Sequence, residues 1–541
     1  MNDTQHRPGT EMFPALLAER AQRAGSDICL IEAETDHSVT FHELNEDARR
    51  LAQGLRGLGV GAGDTVATML PHSVDTYRIW FGLTHLAALE VPIGTKYRGR
   101  MLKHILQDSG ARVLIVDEAH LAELAPVLGD GDLPTLATVI VRGAGTAEVP
   151  GGFDVRSLDD LRKAADVEPL PEREAVAPHD LAMVLYTSGT TGPSKGVLIP
   201  WGQIHATTLG AFPDGTFEPG MVIYGPFPPN HVGGRLFPCL GILHGVPVVL
   251  RNTFSASAFW VDIQKYRCTT TALVSAMASI LWNTPVNEHE ADNPLHDVLM
   301  VPLIAEYDRF QQRFGVRVCT DYNMTETSIP LHSGWDFEDW RSCGRVRPGY
   351  PGYELRIVDA DDNPLGPGEV GELVCRTDAP WTLNAGYLGR PDATAEAWRN
   401  GWFHTGDAFR YDEQGQFYFV DRTKDAIRRR GENVSSFEVE REVLDHPDVI
   451  DCAAIGVPSE LSEEDIKVFV VKRPGSELTE ALLAEHVREK AASFMVPQYI
   501  EFLDALPVTE ATNKVKKSEL RALEAQRREQ ASSLTASGSA G

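Results

Sequence analysis

Hydrophobic positions recur at helical spacing in residues 41–59, FHELNEDARRLAQGLRGLG, near the start of the chain. Apolar side chains stand three or four positions apart, which gathers them on one face of a helix; they are Leu44, Ala48, Leu51, Leu55 and Leu58. Glycines follow the stretch, as is typical of a helix terminus. The pattern therefore predicts an amphipathic helix that ends in a turn, and not a dinucleotide-binding glycine loop, which would follow a strand.

Short apolar runs rich in β-branched residues alternate with helical segments further along the chain, at VATML, ARVLIVD, LATVIV, DLAMVLYTS and GVPVVL. This alternation predicts layers of helices and sheets. Residues 353–375 differ, because turns rich in Asp, Pro and Gly separate short strand-like runs, and they predict an antiparallel β unit. After GQFYFVDRTKDAI, helices alternate with strands in a pattern that predicts a small α+β domain of about 100 residues.

We therefore predict an α/β fold with a large N-terminal domain, built of layered α/β subdomains and a β unit, and a small α+β C-terminal domain. The expected boundaries are 1–421 for the large domain and 422–520 for the small one. Residues 521–541 end in SSLTASGSAG, a run of small and polar residues that predicts a partly disordered tail.

Acidic residues outnumber basic ones, 77 to 50, and the formal net charge is −27. This balance argues against general binding to nucleic acid or anionic membranes, which requires a basic surface, but it allows a small basic pocket. No apolar stretch reaches the roughly 18 residues of a membrane span, and the N-terminal residues lack the pattern of a signal peptide. The seven cysteines are dispersed, with no Cys-x-x-Cys pair, so we expect reduced thiols and a cytoplasmic protein.

The stretch LYTSGTTGPSKGV, residues 185–197, concentrates glycines, hydroxyls and one lysine between apolar runs. Backbone amides of such a loop can converge on phosphate oxygens while the lysine neutralises charge, so the loop predicts phosphate binding. It does not match the Walker A pattern, because Ser194 stands at the second glycine position and Gly196 follows Lys195. The next residues, VLIPW, predict a strand and not the helix of that motif. A P-loop kinase or ATPase is therefore disfavoured.

Three further stretches follow in order: DYNMTETS at 321–328, GWFHTGDAFRYDEQGQFYFVDRTKDAI at 401–427 and LPVTEATNKVKKSEL at 506–520. Together with YTSGTTGPSKGV they resemble the motifs of the adenylate-forming superfamily, which includes acyl-CoA synthetases, carrier-protein adenylation domains and luciferases. The resemblance covers roughly residues 11–520. Within the superfamily, KDAIRRRGENVSSFEVE, HPDVIDCAAIGVPSELSEED and LEVPIGTKYRG are similar to the carnitine/crotonobetaine-CoA ligase branch.

The resemblance implies that ATP activates a small-molecule acid as an acyl adenylate, and that the thiol of CoA then displaces AMP. ATP, Mg²⁺ and CoA would accordingly take part in the reaction. The residues that would hold the β- and γ-phosphates, and then pyrophosphate, belong to the loop; they are Thr187, Ser188, Gly189, Thr190, Thr191, Gly192 and Lys195.

The same resemblance assigns parts to residues of the later motifs. Tyr322 would lie against adenine, Thr325 would donate to the α-phosphate and Glu326 would ligate Mg²⁺. Asp407 would accept hydrogen bonds from both ribose hydroxyls, since a carboxylate has two oxygens, and Arg422 would reach the ribose or a phosphate.

The resemblance also implies that the C-terminal domain is mobile. Lys514 would bridge the carboxylate and the α-phosphate during adenylation, as a catalytic residue. It would then leave the site as the small domain rotates about a hinge at Lys424 and opens a path for CoA. Arg428, Arg429 and Arg430 follow the hinge; they would either meet the phosphates of CoA or form a solvated face.

Departures from the family pattern concentrate around the acid. MVPLIAEYDRF, residues 300–310, stands where members usually carry a glycine-rich strand end that lines the acyl pocket, so the acid's identity stays open. Asn323 and Asn513 replace common glycines, and asparagine tolerates left-handed backbone. His231, in PFPPNHVGGRLF, matches the position at which the family carries an aromatic residue or histidine as the gate of the acyl pocket, which would make it a catalytic residue. The alternative is a buried core histidine. Arg235 nearby offers a partner for a second negative group on a substrate.

Three functions stay open at this point. The leading one is an AMP-forming acid–CoA ligase for a small or medium acid, polar or aromatic. The second is adenylation for another acceptor, either a carrier-protein thiol or an aromatic amine that is diazotised after nitrite activation. The third is a non-catalytic nucleotide sensor, which the retention of the predicted ATP-binding and catalytic residues disfavours. The oligomeric state and the pathway stay open.

Overall fold

The computed structural model of the chain describes residues 11–143, 149–163, 170, 175–187, 194–286, 290–422, 427–429, 432–459, 464–490, 495–509 and 515–538. Contacts divide the chain into two compact units. The first consists of Met1–Leu355 and Cys375–Phe403, and the second of Arg356–Val374 and His404–Gly541. Among the described residues, no helix combines the length and the apolar composition that crossing a bilayer requires.

A first seven-stranded sheet of the first unit has the order β14-β13-β12-β10-β11-β1-β2. Its strands are β1 (Ile28–Glu32), β2 (Ser38–Thr40), β10 (Ile223–Gly225), β11 (Val248–Leu250), β12 (Thr270–Val274), β13 (Asp297–Val301) and β14 (Arg317–Cys319). Neighbouring strands are parallel except for β1 and β2, which are antiparallel. Most of these strands are buried, as expected for a parallel sheet covered on both faces.

A second seven-stranded sheet of the same unit has the order β7-β6-β5-β3-β4-β8-β9. Its strands are β3 (Thr65–Met69), β4 (Leu89–Pro92), β5 (Val113–Asp117), β6 (Thr138–Arg142), β7 (Asp154–Ser157), β8 (Leu181–Thr187) and β9 (Lys195–Pro200). The sheet is parallel apart from the antiparallel pair β8 and β9. The strand predicted after the phosphate loop is therefore present.

The α-helices of the first unit are α1 (Phe13–Arg23), α2 (Phe41–Gly57), α3 (Val74–His85), α4 (Gly99–Asp108), α5 (Leu121–Gly129), α6 (Leu158–Lys163), α7 (Trp201–Gly210), α8 (Val232–His244), α9 (Ala256–Tyr266), α10 (Ser275–Trp282), α11 (Tyr307–Phe314) and α12 (Pro391–Ala397). The predicted amphipathic helix is α2. A capping box of Thr40 and Glu43 starts it, and it ends at Gly57, so Leu58 lies just past the helix.

Three helices lie between the two sheets. α3 contacts β4 and β1, α7 contacts β8 and β9, and α8 contacts β10, β11 and β1. Because α3 meets both sheets, its residues are buried on every face from Val74 to Thr84. The rings of Trp80 and Trp201 stack at 4.9 Å between α3 and α7. Trp80 Nε1 also donates to the carbonyl of Ala182 at 2.9 Å, which ties α3 to β8.

A short three-stranded sheet follows in the first unit, with β15 (Asp321–Tyr322), β16 (Leu331–His332) and β17 (Arg345–Val346). A four-stranded sheet comes next, with β18 (Tyr353–Val358), β19 (Gly371–Thr377), β20 (Phe403–Tyr411) and β21 (Phe417–Arg422). The latter contains the β unit predicted for residues 353–375.

The rest of the second unit is an α+β structure, as predicted. Its strands are β22 (Ile427–Arg429), β23 (Glu432–Val434), β24 (Val449–Pro458), β25 (Glu464–Lys472) and β26 (Tyr499–Phe502). Its helices are α13 (Ser436–Leu444), α14 (Glu480–Lys490) and α15 (Lys517–Gly538), and α15 covers much of the predicted tail. The predicted fold class, layered α/β subdomains with a β unit and a small α+β domain, is confirmed.

Candidate active site

The predicted phosphate loop joins two antiparallel strands of the second sheet. Thr187, the last residue of β8, lies directly opposite Lys195, the first residue of β9. The two strands therefore form an antiparallel pair that ends at Thr187 and Lys195. Five predicted phosphate ligands, Ser188, Gly189, Thr190, Thr191 and Gly192, lie outside the described residues. Next to Lys195, a Cβ on Gly196 would come within 2.7 Å of Val184 Cγ1, so only glycine fits there without a shift.

Lys195 lies over the ring of Tyr387, a residue that the sequence did not single out. The ammonium nitrogen is 5.3 Å from the ring centroid. Tyr387 is fixed in this position because its segment runs beside β9, where the amide of Leu198 donates to Gly386 O at 2.9 Å and that of Leu388 donates to Gly196 O at 2.8 Å. A cation on an aromatic face gains electrostatic energy from the ring.

The hydroxyl of the same tyrosine contacts Glu326. Tyr387 Oη donates to Glu326 Oε1 at 3.3 Å. Burial and the neighbouring Glu326 carboxylate raise the pKa of the Tyr387 hydroxyl, which keeps it a neutral donor. The ring thus brings the predicted phosphate lysine and the predicted Mg²⁺ ligand to one place, although 61 positions separate Tyr387 from Glu326.

Two buried amide side chains hold the backbone around Glu326. Gln203, on α7, donates from Nε2 to the carbonyls of Thr325 and Thr327 at 2.9 and 3.1 Å. Asn384 donates to the carbonyl of Glu326 twice, from its backbone amide at 3.0 Å and from Nδ2 at 2.9 Å. The backbone carbonyls of three successive residues are therefore held in place, so the side chains of Thr325 and Glu326 project from a rigid turn. Neither amide carried a sequence signal, because their partners lie far away along the chain.

Tyr322 and its neighbour Asp321 form the short strand β15. Tyr322 is largely buried and its hydroxyl contacts Met324 Sδ at 3.7 Å. Asp321 is 3% exposed; it accepts from Asn323 Nδ2 at 2.6 Å, and burial raises its pKa to about 7. The sequence motif contained Asp321 without giving it a part. A strongly perturbed pKa beside Tyr322 marks it as an unusual residue of this motif.

His231 is the N-cap of α8. Its Nδ1 accepts from the amide of Gly233 at 3.5 Å, and the side chain is half-buried. Arg235 on the same helix is fully buried and donates to Glu90 at 2.9 Å. The suggestion that Arg235 binds a second negative group on a substrate is therefore wrong, because Glu90 already takes that place. In the altered segment after β13, Leu303 and Ile304 are buried in the core.

In the second unit, Asp407 on β20 lies directly opposite Arg422 on β21. Residues opposite each other in an antiparallel pair project to the same face, so the register suits a shared ligand. The side chain of Arg422, the hinge candidate Lys424 and the catalytic candidate Lys514 lie outside the described residues. Arg429 is buried and donates to the carbonyl of Val496 at 3.1 Å. The suggestion that this arginine meets the phosphates of CoA is therefore corrected: its contact is with the protein backbone.

The donor set around Glu326 fits a magnesium ion. A carboxylate is the hard oxygen ligand that Mg²⁺ prefers, and Glu326 is largely buried with its backbone held. Mg²⁺ in nucleotide sites takes few protein ligands, because substrate phosphates and water complete its octahedron. Lys195, a predicted phosphate ligand, lies near that carboxylate, because Tyr387 contacts both side chains.

Comparison with known proteins adds to this geometry. Residues 17–388 match the model of the AMP-binding enzyme family, and residues 438–513 match that of the AMP-binding enzyme C-terminal domain. The chain is 32% identical to a crotonobetaine/carnitine–CoA ligase of Proteus mirabilis, over 86% of this chain and 90% of the relative. It is 31% identical to a sulfoacetate–CoA ligase of Cupriavidus necator, over 92% of this chain and 95% of the relative.

Solved structures agree. An anthranilate CoA ligase in complex with anthranoyl-AMP superposes with a TM-score of 0.83 at 25% identity, covering 96% of this chain and 98% of that one. An O-succinylbenzoate coenzyme A synthetase from Bacillus subtilis, in complex with ATP and magnesium ion, superposes with a TM-score of 0.77 at 25% identity. That similarity covers 92% of this chain and 98% of the other.

Proposed function

Because this chain belongs to the family of AMP-binding enzymes, we propose that it is an ATP-dependent, AMP-forming ligase that joins a small or medium organic acid to CoA. The contacts of Tyr387 with both Lys195 and Glu326 are the observation that carries the proposal. It provides a cation for the phosphates of ATP and a carboxylate for Mg²⁺ at one point. The predicted family, enzyme class and co-substrates, ATP, Mg²⁺ and CoA, are confirmed by the comparisons.

Two displacements complete the reaction. A carboxylate oxygen attacks the α-phosphorus of ATP, and the bond from that phosphorus to the bridging oxygen breaks, so pyrophosphate leaves with the electron pair. The CoA thiol then loses its proton and attacks the acyl carbon, which expels AMP and forms the thioester. The first step brings one anion onto another, so fixed cations and hydrogen-bond donors are needed at the phosphates.

The residues of the first unit would supply that environment. Thr187, Lys195 and the loop between them hold the β- and γ-phosphates, and Thr325 donates to the α-phosphate. Glu326 holds Mg²⁺, which when bound would neutralise phosphate charge. The support for these roles is the fixed backbone of Thr325 and Glu326, since a rigid turn keeps both side chains in place without reorganisation. Tyr322 lies against adenine.

The residues of the second unit would bind the ribose and switch between the two steps. Asp407 and Arg422 contact the ribose, supported by their opposite positions on β20 and β21. Lys514 bridges the acid and the α-phosphate during adenylation, and Lys424 is the hinge about which the small domain moves. We propose the functional division at residue 421, with 422–520 as the moving part.

The acid is proposed to be small or medium-sized, polar or aromatic, and His231 is proposed to gate its pocket. Relatives named for carnitine, sulfoacetate and anthranilate show how widely the acid varies across similar chains. Buried Leu303 and Ile304 favour a closed, apolar boundary next to β13. A cytoplasmic location is also proposed; the seven free cysteines support it, since reduced thiols are typical of that compartment.

Pyrophosphate release with ATP and Mg²⁺ across a panel of acids tests the proposal, each acid with and without CoA. We expect acid-dependent release, and a CoA thioester detected by mass when CoA is added. Acid-dependent pyrophosphate release without any CoA thioester would refute the transfer of the acyl group to CoA. Nitrite with an arylamine, and a carrier protein, are included because these acceptors are the alternative that the sequence left open.

Lys514→Ala tests the division of labour between the two steps. It should lower acid-dependent pyrophosphate release by about 100-fold or more, because a positioned cation at the reacting phosphate is lost. Thioester formation from a supplied acyl adenylate should persist, since that step does not use Lys514. Lys516→Ala is the matched control, because Lys516 pairs with Glu519 instead. Unchanged adenylation in Lys514→Ala would refute the assignment.

A further inference from the structure

A fully buried ion pair joins α8 to the second sheet. Arg235 Nη2 donates to Glu90 Oε1 at 2.9 Å, and both side chains are 0% exposed. Thr68, on β3, also donates to Glu90 Oε1 at 2.7 Å. The guanidinium lies against Trp80 on α3, with its carbon 5.0 Å from the ring centroid. Rings that face a cation lower the cost of removing it from water.

The same arginine holds the loop that precedes its helix. Arg235 Nε donates to the carbonyl of Pro229 at 2.7 Å. Residues 228–231, called the gate loop here, end at His231, the N-cap of α8. A Cβ on Gly94, just after β4, would lie 3.0 Å from Asn230 Nδ2, so the gate loop packs closely on the end of that strand.

Glu90 connects this loop to the strand that carries the phosphate loop. It lies on β4 in register with Met183 of the neighbouring strand β8. β8 ends at Thr187, where the predicted phosphate loop begins. The Arg235–Glu90 pair therefore links the gate loop, which precedes α8, to β4 of the second sheet. β4 is the neighbour of β8, the strand that ends at Thr187.

Stability alone does not account for this pair. Burying two charges costs several kcal/mol of desolvation, and apolar residues of similar volume are often as stable or more so. The geometry is also incomplete, since Arg235 Nη1 and Glu90 Oε2 have no hydrogen-bond partner within the described part of the chain. Since part of its hydrogen-bonding capacity is unused, the pair is better explained by the backbone segments that it holds in place than by the stability that it contributes.

We propose that Arg235 and Glu90 are positioning residues that fix the gate loop relative to β8, which ends at Thr187, and so set how well the acid is aligned with the α-phosphate of ATP. The inference rests on the proposed ligase function. Neither residue touches a substrate, because both are buried by α3, β3 and the gate loop backbone. They act through the gate loop and through β4.

The test replaces both charges together, in the variant Arg235→Met with Glu90→Met. Removing one partner alone would leave a buried charge and destabilise the fold. In the double variant, kcat/KM for the acid should fall by about tenfold or more, as expected when a charge-assisted hydrogen bond to the loop is lost. KM for ATP should stay within about twofold, and the midpoint of urea denaturation should be unchanged or higher.

Arg235→Lys is the second variant, and it keeps the charge. A single ammonium cannot replace a fork that donates to Pro229 and Glu90 at once, so the acid's kcat/KM should fall while folding is retained. The control exchanges a partly buried ion pair of the first unit, Arg313 and Glu290, 2.6 Å apart and each 11% exposed, for methionines. That control variant should keep the parent's ratio of kcat/KM for the acid to KM for ATP.

The outcomes separate the inference from the function it rests on. If the parent enzyme shows no acid-dependent pyrophosphate release, the proposed function fails and the variants are not needed. If the parent is active and both variants keep its kcat/KM for the acid, the positioning role is refuted. Equal losses for acid and ATP, or an unfolded double variant beside a fully active Arg235→Lys, would also refute it, because the pair would then be structural only.

Discussion

Asp321→Asn should stabilise the protein in a way that depends on pH. Asp321 is buried beside Tyr322, and burial raises the pKa of its carboxyl from 3.8 to about 7 in the folded chain. The hydrogen bond from Asn323 Nδ2 opposes this shift but does not cancel it. An asparagine fills the same space, keeps an oxygen that accepts from Asn323, and never ionises.

The magnitude follows from the two pKa values. The difference between a pKa of 3.8 and one of about 7 corresponds to a stability penalty of at most about 4 kcal/mol, since a tenfold change in an equilibrium constant is worth about 1.36 kcal/mol. Since the folded pKa is the higher one, the folded state holds a proton that the unfolded state has lost between pH 4 and pH 7. Stability therefore falls as pH rises through this window, and the full penalty is present above about pH 7.

The parent protein should accordingly lose stability relative to Asp321→Asn by about 2 kcal/mol or more between pH 5 and pH 8. Other groups facing Asp321 leave the sign unchanged. His332, opposite on β16, is uncharged in this range because burial lowers its pKa to about 4, and Arg347 only favours the ionised carboxylate. The difference between the two proteins isolates Asp321 from groups that titrate elsewhere.

Urea denaturation at pH 5, 6, 7 and 8 measures this difference, followed by tryptophan fluorescence. Trp80 and Trp201 are both buried in the first unit, which contains Asp321, so the signal reports on the relevant part. The exposed Asp214→Asn, in the same unit, is the control for loss of a carboxylate at the surface. A flat difference for Asp321→Asn from pH 5 to pH 8 would refute the reasoning.

Four further predictions concern the site and the core. Glu326→Gln should slow acid-dependent pyrophosphate release by about 100-fold with little change in unfolding midpoint, because only the charge for Mg²⁺ is removed; near-parental release would contradict the metal role. Lys195→Met should raise KM for ATP by about tenfold in steady-state kinetics, as a charge-assisted contact is lost; an unchanged KM would move phosphate binding elsewhere. Asp407→Asn should raise the same KM by about tenfold but not for a nucleotide without ribose hydroxyls; equal losses for both nucleotides would exclude ribose binding. Trp80→Ala should lower the free energy of unfolding by about 3–5 kcal/mol, measured by urea denaturation; a loss below about 1 kcal/mol would mean that the central layer repacks.

Local structure was largely predictable from local patterns. The spacing of apolar residues indicated α2, and the apolar runs on both sides of the phosphate loop indicated the strands β8 and β9, although not their antiparallel pairing. The small α+β unit was predicted in the right element order, from α13 to α14. These features depend on neighbours within a few positions, where periodicity and turn chemistry act.

Motif chemistry also came from the sequence. Phosphate binding was indicated by hydroxyls, glycines and Lys195 in one loop, and four ordered motifs led to the family that the comparisons confirm. The parts assigned to Tyr322, Thr325, Glu326, Asp407 and Lys514 stay predictions. No local pattern, however, distinguished a side chain free to meet a substrate from one already engaged.

Only the tertiary structure decided which distant residues meet. Tyr387 contacts both Lys195 and Glu326, Gln203 donates to carbonyls more than 120 positions away, and Arg235 pairs with Glu90 at a separation of 145 positions. Such pairs depend on the order of strands in two sheets and on the helices between them, which no short window of sequence contains. The sequence by itself thus determined the elements and the chemistry available. Packing determined which charged side chains pair with each other inside the fold and which remain for ATP and the acid.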